Sequence, residues 1–223
     1  MYPQYEETVN TVLSVLDITG IFVFALSGAW LAARRAFDLV GTVALGTVTG
    51  LAGGIVRDVL VGDLPPLAIQ REIYLFVPVV AALAVVVAPG IVQRFGFPVL
   101  VLDAIGLGLF AAVGAAKAVD FGVGVWAATM IGVISAVGGG ILRDLLAGVT
   151  PQVFGRGSQL YATPAALGAF AVALLWERMP ASPFLVVGAM VGVMTIRLLA
   201  VRYDWHLPGP PRRLVEDDTE RTG

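Results

Sequence analysis

The sequence predicts an all-α membrane protein of seven transmembrane helices: two inverted three-helix repeats and a seventh helix, with the N-terminus outside and the C-terminus inside. Three observations carry this prediction. The 223 residues are 58% hydrophobic and only 13% charged, with a mean hydropathy of +0.89, whereas a soluble domain carries about 25% charged residues. The apolar residues form continuous runs, not the alternating pattern of a membrane β-barrel. Residues 86 positions apart match over most of the chain, charged residues and prolines included.

A hydrocarbon core about 30 Å thick needs roughly 20 residues of helix. On that ruler the spans are Val12–Ala33, Leu39–Leu60, Ile73–Val92, Phe97–Ala116, Val123–Leu146, Leu160–Trp176 and Phe184–Val201. Residues 1–11 read as an acidic outer segment without the positive n-region of a signal peptide, so the first span is expected to be retained. The first repeat occupies 12–92, the second 97–176 and the seventh helix 184–203. Pro208-Gly209-Pro210-Pro211 and Glu216-Asp217-Asp218 make residues 204–223 a disordered cytoplasmic tail. The connections carry turn and charge signals: Arg34-Arg35, Pro65-Pro66, Arg94, Asp120, Arg156 and Pro180.

Orientation follows from the basic residues near the span ends. Arg34, Arg35, Arg94, Arg156, Arg202, Arg212 and Arg213 fall on one side, against Arg71, Lys117 and Arg178 on the other. The richer side is cytoplasmic, which places the N-terminus outside. Trp126, Trp176 and Trp205 lie near span ends, where interfacial anchors are expected.

The offset of 86 runs without a gap. It relates Asp17 to Asp103, Gly28 to Gly114, Gly46 to Gly132, Thr49 to Ser135, Arg57-Asp58 to Arg143-Asp144, Pro65 to Pro151 and Pro78 to Pro164. Three spans per repeat is an odd number, so the second copy enters the membrane from the opposite side. Inverted repeats of this kind commonly hold a binding site near the midplane, between discontinuous helices.

Each repeat carries paired glycines followed by an adjacent Arg and Asp: Gly53-Gly54-Ile55-Val56-Arg57-Asp58 and Gly139-Gly140-Ile141-Leu142-Arg143-Asp144, the latter preceded by Gly138. Isolated glycines in these helices read as close-packing points. Adjacent glycines point about 100° apart and cannot serve one packing face, so a kink or break that frees backbone carbonyls is expected. Asp17, Arg57, Asp58, Asp103, Arg143 and Asp144 would each cost about 2.5–3.5 kcal/mol at a helix centre, roughly 15–21 kcal/mol together, so they must pair or line water. Topology brings Arg57 to Asp17 and Arg143 to Asp103, while neighbours Arg57 and Asp58 are not expected to face each other. Two readings are open: the pairs lock helices together, or they clamp the two ends of one pathway. Lys117 has Leu31 as its counterpart and reads as a snorkelling lysine.

Enzymatic readings fail. No Gly-Lys-Ser/Thr follows the glycine triplet, G-x-G-x-x-G is not matched, and the single histidine, His206, offers neither a catalytic set nor a metal site. A Thr-Val-Gly-Tyr-Gly filter does not occur. With no cysteine and a formal net charge of −2, neither disulfides nor a nucleic-acid footprint is expected. No cofactor and no tightly bound metal is expected.

The doubled Gly-Gly-x-x-Arg-Asp motif in a three-plus-three-plus-one arrangement resembles the prokaryotic branch of the trimeric intracellular cation (TRIC) channel family. Leu102-Asp103-Ala104-Ile105-Gly106 and Gly114-Ala115-Ala116-Lys117-Ala118 are similar to that family's fourth span. The resemblance implies a homotrimer in a prokaryotic plasma membrane, surrounded by lipid, with a separate potassium-permeable pore in each protomer. That pore would run between spans two and five, kinked at Gly53, Gly54, Gly138, Gly139 and Gly140 near Thr49 and Ser135. Asp17, Arg57, Asp58, Asp103, Arg143, Asp144 and Lys117 would line or clamp it. Animal members bind phosphoinositide through lysine-rich segments, and this chain carries none. The same family is also described as small-amino-acid transporters, particularly of glycine. Alternating access by a carrier therefore stands beside the channel.

Overall fold

The computed structural model describes residues 3–88, 99–155, 160–179 and 182–206, with side chains from Thr11 onward. Among these residues the chain forms eight helices: α1 (Pro3–Arg34), α2 (Leu39–Val61), α3 (Leu67–Gln70), α4 (Glu72–Val87), α5 (Val99–Asp120), α6 (Val125–Leu146), α7 (Ala162–Leu175) and α8 (Pro183–Arg202). Five of them, α1, α2, α5, α6 and α8, are long and apolar enough to cross a membrane. The expected third and sixth spans are shorter here. α4 has 16 residues and α7 has 14, about 24 and 21 Å of helix. Arg94, Phe97, Arg156, Pro180, Arg212, Arg213 and the tail from residue 207 lie outside the described residues.

Local chemistry sets the ends. Asp38 caps α2 by accepting the Gly41 N–H at 2.7 Å, and Gly62 closes it with φ of 80°. Gly148, 86 residues on, follows α6 with φ of 70°. The acidic outer segment expected over residues 1–11 is helical from Pro3. The polar stretch continues α1 because it contains no glycine or internal proline to stop it.

α5 is the most buried of the long helices, with Ala111 through Ala116 all buried. It packs on α1, α6, α7 and α8, while α1 packs on α2 and α4, and α2 on α6. Small residues permit this closeness. Gly46 lies against the Ala25 carbonyl and Ala82, and Gly132 against the Ala111 carbonyl and Ala169. The Phe24 and Phe110 rings meet at the centre with centroids 5.3 Å apart. Phe24 covers Gly106 and Phe110 covers Gly20. The offset of 86 thus relates contacts as well as residues.

The expected break at the paired glycines does not occur: α2 and α6 run uninterrupted through them. The glycines serve different neighbours instead. Gly53 backs onto the Ser135 carbonyl and Gly139 onto the Thr49 carbonyl, so α2 and α6 cross antiparallel at backbone contact. Gly54 turns toward Arg57 and Phe110, and Gly140 toward Tyr161 and Asp103; Gly138 lies 3.6 Å from the Gly53 Cα, measured from the position of an added Cβ. Two adjacent glycines are used because two directions need clearance, and the helix needs no break to supply both.

Candidate functional site

Four residues past each crossing glycine, α2 and α6 present their Arg-Asp pairs at opposite ends of the crossing. In the first cluster Arg57 grips Asp17 of α1 with two teeth, Nη1 to Oδ1 at 2.8 Å and Nη2 to Oδ2 at 3.2 Å. Its Nε donates to Asp58 Oδ1 at 2.9 Å. Asp58 Oδ2 also accepts the Leu67 N–H at 3.0 Å, which ties α3 to the end of α2. All three charged residues are buried. A buried guanidinium with carboxylates on both of its edges satisfies the requirement that charge removed from water be paired and hydrogen-bonded.

The second cluster repeats the plan. Arg143 Nη1 donates to Asp103 Oδ1 of α5 at 2.6 Å, and Nε to Asp144 Oδ1 at 2.8 Å. Asp144 Oδ2 accepts the Gln152 N–H at 3.1 Å. The topological pairing of Arg57 with Asp17 and of Arg143 with Asp103 is therefore what the structure contains. The expectation that Arg57 and Asp58 would not meet is corrected, in both clusters. The arginine side chain is long enough to fold back along the helix, so its Nε reaches the next residue although the two Cβ atoms diverge.

The clusters differ where the repeats have diverged. Arg143 Nη1 also donates to Ser27 Oγ at 2.7 Å. The residue 86 positions after Ser27 is Val113, which offers Arg57 no hydroxyl. Arg143 makes a single-toothed contact with Asp103, and Asp103 Oδ2 and Arg143 Nη2 are buried without a hydrogen bond among the described residues. Tyr161 Oη donates to Asp103 Oδ1 at 3.3 Å. Arg197 of α8 stacks over the Tyr161 ring at 5.0 Å and donates to Gln152 Oε1 at 2.6 Å and to the Leu160 carbonyl at 2.9 Å.

Each cluster also receives one cation from outside the motif. At the second it is Arg197. At the first it is Lys117, whose Nζ donates to Asp58 Oδ1 at 2.7 Å and to Asp63 Oδ2 at 2.6 Å. Lys117 does not snorkel as expected: its side chain is only 14% exposed, because two carboxylates within reach outweigh the interface. Trp176 is likewise not an interfacial anchor. It is buried and its indole donates to Asp120 Oδ1 at 2.6 Å. Trp126 is 76% exposed and Trp205 46%.

A cavity of about 290 Å³ opens beside the first cluster. Asp17, Arg57, Lys117 and Tyr74 line it together with Arg71 and Asp120; Leu13, Leu67, Val113 and Phe121 give it apolar walls. Sequence reasoning missed Tyr74, Tyr161, Ser27 and Asp63, and it left Asp120 as a plain connecting residue. It could have found Phe24 and Phe110, which stand at the same offset of 86 as the glycines they cover.

A family model described as glycine transporter matches residues 14–89 and again residues 100–177. A UPF0126 membrane protein of Deinococcus radiodurans is 42% identical over 202 residues, 90% of this chain and 92% of that protein. The UPF0126 inner membrane protein YadS of Escherichia coli K12 is 36% identical over 207 residues, 91% of this chain and 97% of the relative. Among solved structures, one concerned with conductance through TRIC cation channels superposes with a TM-score of 0.78 at 34% identity, over 89% of this chain and 97% of that one. A prokaryotic TRIC channel in 0.5 M KCl gives 0.79 at 30% identity, over 89% of this chain and 100% of that one. The TRIC orthologue from Rhodobacter sphaeroides gives 0.78 at 35%, over 86% of this chain and 98% of that one. The matched family is one of transport proteins and not of enzymes. Two family matches along the chain, close relatives over nine-tenths of its length and the shared fold make it a member of the glycine transporter family, with the UPF0126 proteins and prokaryotic TRIC channels, as a multi-pass protein of the prokaryotic plasma membrane.

Proposed function

We propose that the chain conducts monovalent cations, potassium among them, along a path within each protomer that passes the crossing of α2 and α6. The single observation that carries this reading is the likeness to solved TRIC cation channels, at 30–35% identity over nearly the whole chain. In the proposed arrangement seven spans cross the membrane, α4 and α7 among them, with the N-terminus outside. Two inverted repeats over 12–92 and 97–176 are supported by the two family matches and by the antiparallel pairing of Gly53 with Ser135 and of Gly139 with Thr49. Residues 184–203 form the seventh helix, flanked by the outer segment 1–11 and the cytoplasmic tail 204–223. Three such chains assemble as the name of the Rhodobacter sphaeroides neighbour states for that protein.

The two helices touch at the crossing, so conduction requires them to part there. Gly53, Gly54, Gly138, Gly139 and Gly140, with Thr49 and Ser135 at the contact, are the residues on which α2 and α6 bend or slide. Asp17, Arg57, Asp58 and Lys117 stand at one mouth and Asp103, Arg143 and Asp144 at the other. Paired carboxylates along the path favour a cation over an anion. Potassium flux from loaded liposomes tests the proposal: unitary currents are expected, and liposomes that stay potassium-tight overturn it.

A second reading, a carrier of glycine or another small amino acid by alternating access, is favoured by the matched family's own description. Saturable uptake of labelled glycine without unitary currents is its expected signature.

A further inference from the structure

The two Arg-Asp pairs are made of the same residues and are held unequally, and the inequality traces to one position on α1. Arg57 spends Nη1 and Nη2 on the two oxygens of Asp17. Arg143 spends Nη1 twice, on Asp103 Oδ1 at 2.6 Å and on Ser27 Oγ at 2.7 Å. Its Nη2 and Asp103 Oδ2 then have no hydrogen bond among the described residues, although Arg143 and Asp103 are each 0% exposed. A charged donor and a charged acceptor left buried and unsatisfied are costly. The two side chains that could satisfy each other already touch through their other atoms.

Ser27 is held in place from both sides. Phe24, three residues before it, packs against Gly106 and Gly139, and Gly28, next to it, rests on the Leu45 carbonyl and Thr49. The offset of 86 carries this frame to α5, where Phe110 packs against Gly20 and Gly114 rests on Gly132 and Ser135. Val113 stands there in the place of Ser27, and it lines the cavity together with Arg57 and Asp17. Valine offers no acceptor, so Arg57 closes on both oxygens of Asp17.

We infer that Ser27 is a positioning residue of the second mouth: its hydroxyl draws the Arg143 guanidinium off Asp103, keeps that pair single-toothed, and makes the second cluster the one that releases more readily. The inference rests on the proposed cation path, in which each mouth opens when its Arg-Asp grip lets go. A two-toothed pair is stronger and geometrically stricter than a single-toothed one. One charge-assisted hydrogen bond more or less shifts such a release by at least about tenfold. A firm mouth and a loose mouth are thus built from one repeated motif, and the residue that sets the difference lies outside the motif.

The test combines thermal unfolding of the full-length protein in detergent with potassium flux from liposomes, for Ser27→Ala, Val113→Thr and the double variant. Ser27→Ala frees Nη1 and lets Arg143 close on both oxygens of Asp103, so the unfolding midpoint should rise and flux should fall about tenfold. Threonine has the shape of valine and adds a hydroxyl beside Arg57, so Val113→Thr should loosen the first mouth and raise flux about tenfold. The double variant exchanges the two mouths, and its flux should lie between those of the single variants. If the Ser27 hydroxyl only tied α1 to α6, its loss would lower the midpoint, so a midpoint that falls or stays in Ser27→Ala overturns the assignment. Unchanged flux in both single variants of a conducting protein overturns it as well. Potassium-tight liposomes of the parent protein overturn the channel reading alone, because the midpoint still decides whether Ser27 holds Arg143 off Asp103.

Discussion

Arg57 and Lys117 show how differently two buried cations can be held. Arg57 is wholly enclosed, with two carboxylates on it, and Lys117 retains partial contact with solvent. Arg57→Met leaves Asp17 and part of Asp58 as unpaired buried charge and should destabilise the protein by about 3–5 kcal/mol. Lys117→Met leaves Asp58 with its arginine and Asp63 with a side chain 24% exposed, and should cost about 1 kcal/mol. Thermal unfolding in detergent checks the order, and equal losses would contradict the unequal burial. The Arg–Asp pairing was legible in the sequence because the offset of 86 names the partners twice. The Lys117 tie was not. It depends on Asp63 in the turn after α2, a residue whose counterpart is Val149 and which therefore sends no repeated signal.

At the level of helices, the paired glycines divide their work, and that division is measurable. An added Cβ at Gly53 would overlap the Ser135 carbonyl, and one at Gly139 the Thr49 carbonyl, both backbone atoms that cannot swing away. Gly53→Ala and Gly139→Ala should therefore each cost about 1–3 kcal/mol through overpacking. The nearest atom to an added Cβ at Gly54 is 3.7 Å away. Gly54→Ala should then stabilise α2 by up to about 1 kcal/mol through helix propensity alone. Unfolding midpoints that move in the same direction for Gly53→Ala and Gly54→Ala would refute the packing account. The sequence could not separate the two glycines, because a pair is equally compatible with a broken helix and with two clearances, and only the neighbouring helix decides. The length of α4 was also hidden, since the apolar residues Ala88, Ile91 and Val92 follow its last helical residue, Val87, in the sequence.

Taken as a whole, the molecule was most readable where hydropathy and repetition agree: membrane class, the long helices and the two Arg-Asp clusters. It was least readable at the cavity, where Arg71 precedes α4 and Asp120 ends α5, and neither has its like at the offset of 86. The absence of cysteine from the sequence makes orientation directly testable. Leu64 and Phe154 are exposed, 63% and 69%, in the turns that follow α2 and α6. With the N-terminus outside, a membrane-impermeant maleimide applied to intact cells should label Leu64→Cys and spare Phe154→Cys. The opposite pattern would reverse the orientation.

The core contact in which Gly20 receives Phe110 while Gly106 receives Phe24 is self-complementary in the sense of an isologous dimer interface, each side bearing the same knob and the same hollow. The crossing of α2 and α6 has the same property, because Gly53 meets Ser135, the equivalent of Thr49, while Gly139, the equivalent of Gly53, meets Thr49. Such an interface could be made by two separate copies of one repeat, packed antiparallel at this crossing. Covalent linkage then brings one new freedom, that the halves can become unequal. Ser27 opposite Val113, and Lys117 opposite Leu31, record that divergence. They give a protein built on a two-sided plan a distinguishable front and back.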